Sequence, residues 1–319
     1  MKISVVVTVR NEAKAVTGLL DALAQQTRDA DEIILVDGGS TDDTLAIVHK
    51  YKVNLPALTI QQAPGTNIAA GRNVGIRVAR GDIIVTTDAG CFPQPQWLDA
   101  ITTPFELDPS IGLVSGVVKP LAKTEKEASI GRCSLAYQTK VRDKAFLPTA
   151  RSLAFRRALA IEIGGFPENL DFGEDTRFII DIAQNTRLSV VEEAIVYWRP
   201  RQTYCAVVKQ YYHYAFGLVQ ARLSRRFHLR TIGLNLGGIT GILLSIGLKQ
   251  LWPLLIVITL SIVYLWRKKR AGCFDSNSWR RFYLVPLALL AIHIGTVAGI
   301  LAGHCVRLWD LLVNENPAN

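Results

Sequence analysis

Acidic residues stand at the ends of two apolar segments that have the pattern of buried strands. Asp37 ends the first segment and Asp88 the second, and small residues that suit a tight turn follow each. Because the carboxyl ends of parallel strands meet at the ligand-binding edge of an open α/β sheet, we expect both carboxylates there. Asp88 alone could equally cap its own turn, where aspartate is common. A carboxylate in that place could hold a divalent metal ion.

Two further signals would complete a site at this edge. Glu174 and Asp175 open a predicted helix late in the chain, where a loop can return them to the sheet. Arg72 lies on the predicted helix 67–80, which should place Val78 on its inner face and Arg72 outside. The guanidinium of Arg72 suits bidentate binding of a diphosphate. Nucleotide-sugar chemistry needs one carboxylate that holds a metal on the diphosphate and a base that takes a hydroxyl proton.

The elements that must position these residues follow from hydrophobic periodicity. Strands and helices alternate with short connections, which predicts a doubly wound, mostly parallel α/β sheet. The charged segment 119–150 has no strand pattern and is interpreted as an insertion that, with Arg151-Ser152, shapes acceptor choice. The predicted strands are 2–9, 33–36, 57–60, 81–88, 112–118, 153–155 and 190–198, and the predicted helices are 12–26, one from about 42, 67–80, 95–106, 156–163 and 172–185.

Five segments of residues 1–220, taken in order, resemble the motifs of family 2 glycosyltransferases, an inverting family with a nucleotide-diphospho-sugar-binding α/β domain. The resemblance implies that residues 1–220 form a cytosolic glycosyltransferase domain that moves a sugar from a nucleotide diphosphate to a hydroxyl group. The matching segments are the opening strand 4–12, the Asp37 motif 36–42, the segment 71–82, the metal motif 87–90, and the turn 164–167 followed by Glu174-Asp175.

This resemblance also implies roles for individual residues. A divalent cation, Mg²⁺ or Mn²⁺, would bind at Asp88, and Asp175 would act as the general base with Glu174 beside it as the second catalytic residue. A UDP-sugar is the expected donor, and a lipid-linked or other saccharide is the expected acceptor. The residues expected to bind the nucleotide-sugar are Thr8, Arg10, Glu12, Asp37, Arg72, Asp88 and Gly90.

Departures from the family pattern limit what the resemblance implies. Gly38 and Gly90 replace the second acidic residue of their motifs, so the cation would rest on Asp88, the diphosphate and water, which Mg²⁺ tolerates. Segment 210–214 does not end as the Gln-x-x-Arg-Trp motif of processive members does, which favours single transfer over polymer extrusion. Two alternatives stay open: transfer to a polyprenyl phosphate, which needs no base at Asp175, and a non-catalytic scaffold that binds sugar nucleotides.

The two parts of the chain differ in charge. Of the 319 residues, 1–200 contain 22 Lys/Arg and 24 Asp/Glu, whereas 201–319 contain 14 and 3, for a net charge of +9. The later basic residues flank uncharged apolar runs, which indicates a lipid bilayer as partner and no nucleic acid. The predictions are an interfacial amphipathic helix over 203–230 and a membrane domain over 231–319 with three transmembrane helices, at about 231–248, 251–266 and 282–304.

The basic clusters also predict an orientation. Segments 222–230 and 267–281 hold most of these charges, so residues 1–230 would be cytosolic in a multi-pass protein of the plasma (inner) membrane. A buried soluble hairpin would leave the basic flanks unexplained. Five scattered cysteines without paired spacing argue against a zinc site or a disulfide framework. No G-x-G-x-x-G motif follows the first strand, which disfavours a dinucleotide-dependent oxidoreductase.

Overall fold

The computed structural model describes residues 1–135, 148–223 and 281–314, together with a few isolated positions between the last two ranges. The chain divides into two compact units. The first contains residues 1–121 and 137–199, and the second contains residues 122–136 and 200–319.

One mixed sheet forms the centre of the first unit, with the strand order β3-β2-β1-β4-β7-β6-β8-β5. Strands β1 to β4 are parallel to one another, as are β6 and β8, whereas β5 and β7 run antiparallel to their neighbours. The strands are β1 Ile3–Val9, β2 Glu32–Asp37, β3 Leu58–Gln62, β4 Ile83–Asp88, β5 Cys91–Pro93, β6 Ile111–Pro120, β7 Leu153–Arg156 and β8 Arg187–Trp198.

The predicted α/β fold with a mostly parallel sheet is confirmed, and the short β5 and the helix within segment 119–150 are additions to the prediction. A three-residue strand carries too little alternation to be recognised from sequence. The helices are α1 Val16–Ala24, α2 Thr44–Tyr51, α3 Ile68–Val78, α4 Trp97–Leu107, α5 Glu125–Ser134, α6 Arg157–Glu162, α7 Glu174–Ala183, α8 Tyr204–Gln220 and α9 Arg281–Asn314.

Helices cover both faces of the sheet, which explains why its inner strands are continuous apolar runs. Successive residues of β1 enter opposite cores: Val5 and Val7 pack in the core that contains Trp97, and Val6 packs in the core that contains Phe166. All of these side chains are at most 1% exposed. The sheet is therefore a rigid base for the loops at its edges.

The inner face of α3 differs from the prediction. Val78 was expected inside and is 41% exposed, whereas Arg72, expected outside, is 3% exposed. The buried residues of α3 include Ala69, Arg72, Asn73 and Ile76. Their i, i+3, i+4, i+7 spacing places them on one face of the helix. The prediction was wrong because it assigned only apolar residues to the inner face, and two polar residues occupy it here.

The second unit contains α5, α8 and α9, and α8 packs closely along α9. Three glycines of α9, each four residues from the next, face α8. A Cβ on Gly295 would lie 2.2 Å from the carbonyl oxygen of Val208, and one on Gly299 would lie 2.1 Å from that of Tyr212. At Gly303 it would lie 2.8 Å from a side-chain carbon of α8. Small residues at this seam let the two backbones approach.

One helix among the described residues is long and apolar enough to cross a bilayer, at Leu284–Arg307, and half of its most apolar stretch is buried. A core helix of a soluble protein can have the same length and composition, so this helix is weak support for a membrane span. It coincides with the predicted span 282–304. The other two predicted spans, 231–248 and 251–266, lie outside the described residues, as does most of 221–230 in the predicted interfacial segment.

Candidate active site

The carboxyl ends of β1, β2 and β4 lie side by side at one edge of the sheet. Thr8 in β1 pairs with Val36 of β2 on one side and with Asp88 of β4 on the other. Asp37 follows Val36 as the last residue of β2. The strand order reverses between β1 and β4, which is where open α/β sheets bind ligands. The structure thus brings Thr8, Asp37 and Asp88 to one edge.

Arg72 is buried between two of the predicted site carboxylates. Its Nη1 donates to Oε1 of Glu174 at 2.7 Å, and its Nη2 donates to Oδ1 of Asp88 at 3.0 Å. Its guanidinium carbon lies 5.2 Å from the ring centre of Phe166. Burial lowers the pKa of Arg72, but the nearby carboxylates, Asp88 first, raise it above its ordinary value overall. The guanidinium therefore stays charged and links two separate segments of the chain.

Glu174, predicted as a catalytic residue, has its carboxylate engaged inside the protein. It is 7% exposed and accepts the hydrogen bond from Arg72. Its pKa is raised, because burial disfavours the charged form and the adjacent Asp175 adds a second negative charge, while Arg72 opposes both effects. A buried acid held by an arginine is suited to position its neighbours. The geometry therefore favours a positioning role for Glu174.

Asp175 is the more accessible member of the acidic pair. Gly173 has φ of +78°, a left-handed conformation that glycine adopts without strain, and α7 begins directly after it. The Oδ1 of Asp175 accepts from the backbone N–H of Thr176 at 2.7 Å, and Oδ2 accepts from that of Ala150 at 3.4 Å. A partly exposed carboxylate with lone pairs left can take a proton from an acceptor hydroxyl.

Two asparagines, Asn67 at the N-cap of α3 and Asn73 within that helix, hold the loop that precedes α7. The amide of Asn73 accepts from the backbone N–H of Phe166 at 2.8 Å and donates to the carbonyl oxygen of the same residue at 2.8 Å. Asn67 donates to the backbone oxygen of Glu168 at 2.8 Å. Gly165 lies so close that an added Cβ would be 2.4 Å from Oδ1 of Asn73. Sequence analysis missed both asparagines, although an amide on a buried helix face is a usable signal.

Arg151 lies near the carboxylate oxygen of Asp88 that does not accept from Arg72. Its Nε lies 3.7 Å from Oδ2 of Asp88, and its guanidinium carbon lies 4.9 Å from the ring centre of Trp198. The antiparallel direction of β7 explains this position, because β7 begins where β4 ends. Sequence analysis placed Arg151 near the acceptor from its position in the chain and did not connect it with Asp88 or with Trp198.

The loops after β1 and β2 are tied together beside Asp37. This residue is 2% exposed, and its carboxylate accepts from the hydroxyl and the backbone N–H of Ser40 in its own turn. Asn11, at φ of 57°, accepts from a backbone N–H of the β2 loop at 2.8 Å. Arg10 is exposed and Glu12 partly exposed on the β1 loop. Nucleoside binding by these residues stays a prediction.

Within the metal motif 87–90, a divalent cation would find a single carboxylate, that of Asp88. Asp88 is 28% exposed, and a Cβ on Gly90 would meet no atom within 4 Å, so the position of the missing second carboxylate is open. Within the described part of the chain, no group of three or more His, Cys, Asp or Glu side chains could hold a metal ion. This donor set fits Mg²⁺ or Mn²⁺ that keeps its waters and binds mainly to substrate phosphates.

Cys91 lies close to Asp88 but is not a nucleophile. Burial, and then the charge of Asp88, raise the pKa of the thiol to about 12, against a smaller opposite effect of Arg151. The reactive species of cysteine is the thiolate, which this environment suppresses. The chemistry of the site therefore depends on its carboxylates and arginines.

Comparison with known proteins agrees with this architecture. Residues 4–161 match the family model for Glycosyl transferase family 2. The poly(ribitol-phosphate) beta-N-acetylglucosaminyltransferase TarS of Staphylococcus aureus is 28% identical over 209 residues, which are 63% of this chain and 36% of TarS. An uncharacterized glycosyltransferase of Bacillus subtilis, YwdF, is 26% identical over 198 residues, which are 61% of this chain and 73% of YwdF. The chain thus matches about a third of the length of TarS.

Solved structures show the same fold. A crystal structure of S. aureus TarS in complex with UDP-GlcNAc has a TM-score of 0.53 at 23% identity, covering 71% of this chain and 69% of that one. The mannosyltransferase PcManGT from Pyrobaculum calidifontis, in complex with GDP-Man and Mn²⁺, has a TM-score of 0.55 at 22% identity, covering 99% and 81%.

Proposed function

Because residues 4–161 match the family model for Glycosyl transferase family 2, we propose that this protein is a glycosyltransferase that moves one sugar from a UDP-sugar to a hydroxyl group of a lipid-linked saccharide. The anomeric carbon is inverted in this transfer. The observation that supports the proposal most directly is the buried Arg72, which joins Asp88 at the strand edge to Glu174, the neighbour of Asp175. One ion network thereby connects a donor-side carboxylate with the residue that precedes the proposed base.

The donor binds, in this proposal, along the edge formed by β1, β2 and β4. The nucleoside lies against the loops after β1 and β2, with Thr8 near the end of β1, Arg10 and Glu12 on the loop that follows, and Asp37 at the end of β2. Asp88 and the backbone at Gly90 lie at the diphosphate. UDP is favoured as the nucleotide because the related TarS was crystallised with UDP-GlcNAc and with UDP.

A divalent cation on the diphosphate would be held by Asp88, and the open position at Gly90 leaves room for its waters. When bound, such a cation supplies positive charge that stabilises the departing diphosphate. Arg72, predicted to bind the diphosphate directly, instead fixes Asp88 in this proposal, because both of its terminal nitrogens already donate to carboxylates.

The base in this mechanism is Asp175. It takes the proton of the acceptor hydroxyl, whose oxygen attacks the anomeric carbon. The bond from that carbon to the diphosphate oxygen breaks on the opposite face, and the nucleoside diphosphate leaves with the electron pair. A single displacement without a covalent intermediate inverts the anomeric configuration. Glu174, held by Arg72, fixes the start of α7 and with it the place of Asp175.

The membrane part of the proposal is supported by charge and by α9. Basic residues flank the apolar segments of 201–319, and Leu284–Arg307 could cross a bilayer by length and composition. Residues 1–230 would then face the cytosol in a multi-pass protein of the inner membrane, where a lipid-linked acceptor is accessible. Extraction of the protein from membranes by a carbonate wash would contradict this placement.

The proposed activity is tested by measuring nucleoside diphosphate release by the detergent-purified protein. UDP-, GDP- and dTDP-sugars are screened with a membrane-lipid extract as acceptor source, and the anomeric configuration of the product is determined by NMR. We expect release from a UDP-sugar and an inverted product. A retained configuration would overturn the mechanism, and binding of donors without any turnover would favour a sugar-nucleotide-binding scaffold.

A further inference from the structure

The diphosphate end of the site has fewer acidic residues than its family motif provides. Asp88 is present, whereas the second carboxylate position is Gly90, and the space around it is open. With one carboxylate, the protein holds a divalent cation weakly. The departing diphosphate still needs compensation for its negative charge, because charge developing on a leaving group is stabilised by fixed cations or dipoles.

Arg72 cannot supply this compensation in its observed position. It is 3% exposed, and its two terminal nitrogens donate to Glu174 and to Asp88. Moving its guanidinium to a ligand would leave Glu174 buried without its cation, which is strongly unfavourable. A second cationic side chain near Asp88 would compensate this charge when no divalent cation is bound.

Arg151 has the position for this role. Its Nε lies 3.7 Å from Oδ2 of Asp88, which is the oxygen that Arg72 does not contact. Its guanidinium lies over the ring of Trp198 at 4.9 Å, and such stacking restricts its orientation. Its side chain is 16% exposed, so it is more accessible than that of Arg72. The beginning of β7 brings it to the same edge as the carboxyl end of β4.

We propose, on the basis of the function proposed above, that Arg151 binds the diphosphate of the donor and stabilises the charge that develops as the bond to the anomeric carbon breaks. Trp198 and Asp88 orient its guanidinium for this contact. Arginine suits this role because its planar guanidinium can donate hydrogen bonds to two phosphate oxygens at once. Binding and transfer then continue after removal of divalent cations, and Mn²⁺ adds a moderate stimulation.

A purely structural role for Arg151 makes different predictions. If it only pairs with Asp88, its replacement lowers stability and leaves the affinity for UDP in EDTA unchanged. If it binds the diphosphate, its replacement lowers the affinity for UDP in EDTA, while the melting temperature stays close to that of the wild type. Arg151→Lys keeps the positive charge but loses the planar guanidinium. Its affinity for UDP in EDTA should therefore lie between those of the wild type and Arg151→Gln.

The experiment measures UDP affinity by calorimetry and UDP release from the donor, each in EDTA and in Mn²⁺. Arg177→Gln is the matched control, because Arg177 pairs with Asp181 one turn along α7 and is a partly exposed arginine. We expect Arg151→Gln to lower the affinity for UDP in EDTA by about tenfold or more and to lower kcat by about 100-fold. Mn²⁺ should restore part of the loss, and Arg177→Gln should match the wild type.

A second variant tests the relation between Arg151 and the missing carboxylate. Gly90→Asp has space for its side chain, and combined with Arg151→Gln it should recover transfer only when Mn²⁺ is present. Equal UDP affinity of the wild type and Arg151→Gln in EDTA would overturn the role of Arg151. A strict cation requirement of the wild type would also overturn it. Absence of transfer by the wild type, with the difference in UDP binding intact, would instead refute the proposed function alone.

Discussion

At the scale of single residues, the central feature is an arginine that holds two carboxylates from distant parts of the chain. Arg72 donates to Asp88 and to Glu174, which are 16 and 102 positions away in sequence. Burying these charges costs desolvation energy, and the pairing offsets that cost only while all partners are present. The network is therefore better understood as a device that fixes positions than as a source of stability.

Arg72→Met should destabilise the protein by about 3–5 kcal/mol, because it leaves Glu174 buried without its cation. The measurement is the free energy of unfolding by urea. Arg177→Met is the matched control, since the Arg177–Asp181 pair is partly exposed and one turn apart on a helix, where such pairs contribute about 0.3–0.5 kcal/mol. Similar losses for the two variants would contradict the importance of the buried network.

The raised pKa of Glu174 predicts a specific pH dependence of stability. The folded protein binds the Glu174 proton more tightly than the unfolded chain does, because the pKa of this glutamate in the unfolded chain is the ordinary 4.5. The free energy of unfolding of the wild type, relative to that of Glu174→Gln, should therefore be highest at low pH. It should fall as the pH rises from the unfolded pKa of Glu174 through its higher folded pKa. Unfolding of both proteins across this range measures the difference, with Glu162→Gln, an exposed glutamate, as control. A difference that grows with pH would contradict the assignment.

At the scale of elements, α3 fixes the loop that leads to Asp175, the proposed general base. Asn67, the N-cap residue of α3, and Asn73, on its second turn, bind the backbone of residues 166–168. The loop itself turns through Gly164 and Gly165, at φ of 83° and 79°, and ends at Gly173. The position of α7 relative to β4 therefore depends on one helix face and a few left-handed glycines.

Asn73→Ala should lower kcat more than it weakens donor binding, because it frees the loop that carries Asp175 and leaves the diphosphate side intact. Two buried backbone groups of Phe166 would lose their partner, at about 1–3 kcal/mol each. Steady-state kinetics and thermal unfolding measure the two effects. Asn54→Ala, an exposed asparagine, is the control. A loss confined to donor affinity would show that α3 does not position the base.

The elements themselves could largely be predicted from sequence, because their apolar periodicity is regular and their boundaries carry Gly or Asp. The edge position of Asp37 and Asp88 follows from one topological rule. The burial of Arg72 could not be predicted, because its partners come from other segments and local pattern counts arginine as polar. The contact of Arg151 with Asp88 depends on the antiparallel direction of β7, which a four-residue strand does not reveal.

At the scale of the whole molecule, the chain combines a catalytic unit with a second unit built from α5, α8 and α9. The second unit has its own close packing, in which the glycines of α9 meet the backbone of α8. Aromatic side chains of α8 stack on one another, as Tyr212 and Phe216 do at 6.2 Å. Such a pair of helices is a stable framework whether it packs in protein or in lipid.

Gly299→Leu should disrupt this framework, because even a Cβ at this position would lie 2.1 Å from the carbonyl oxygen of Tyr212. We expect a clear fall in the melting temperature of the detergent-purified protein. Leu301→Ala is the control, because Leu301 is 50% exposed on the same helix and its truncation removes little packing. Equal melting temperatures of wild type and Gly299→Leu would show that α8 and α9 do not meet at these glycines.

The most direct test of the account compares Asp175→Asn with the wild type in transfer rate and in donor affinity. If Asp175 is the base, the variant loses nearly all transfer to a hydroxyl acceptor, by at least about 100-fold, and binds the UDP-sugar as tightly as before. Asp181→Asn, the same change two turns along α7, should leave both quantities unchanged. Undiminished transfer by Asp175→Asn would contradict the central claim and point to an acceptor, such as a polyprenyl phosphate, that needs no deprotonation.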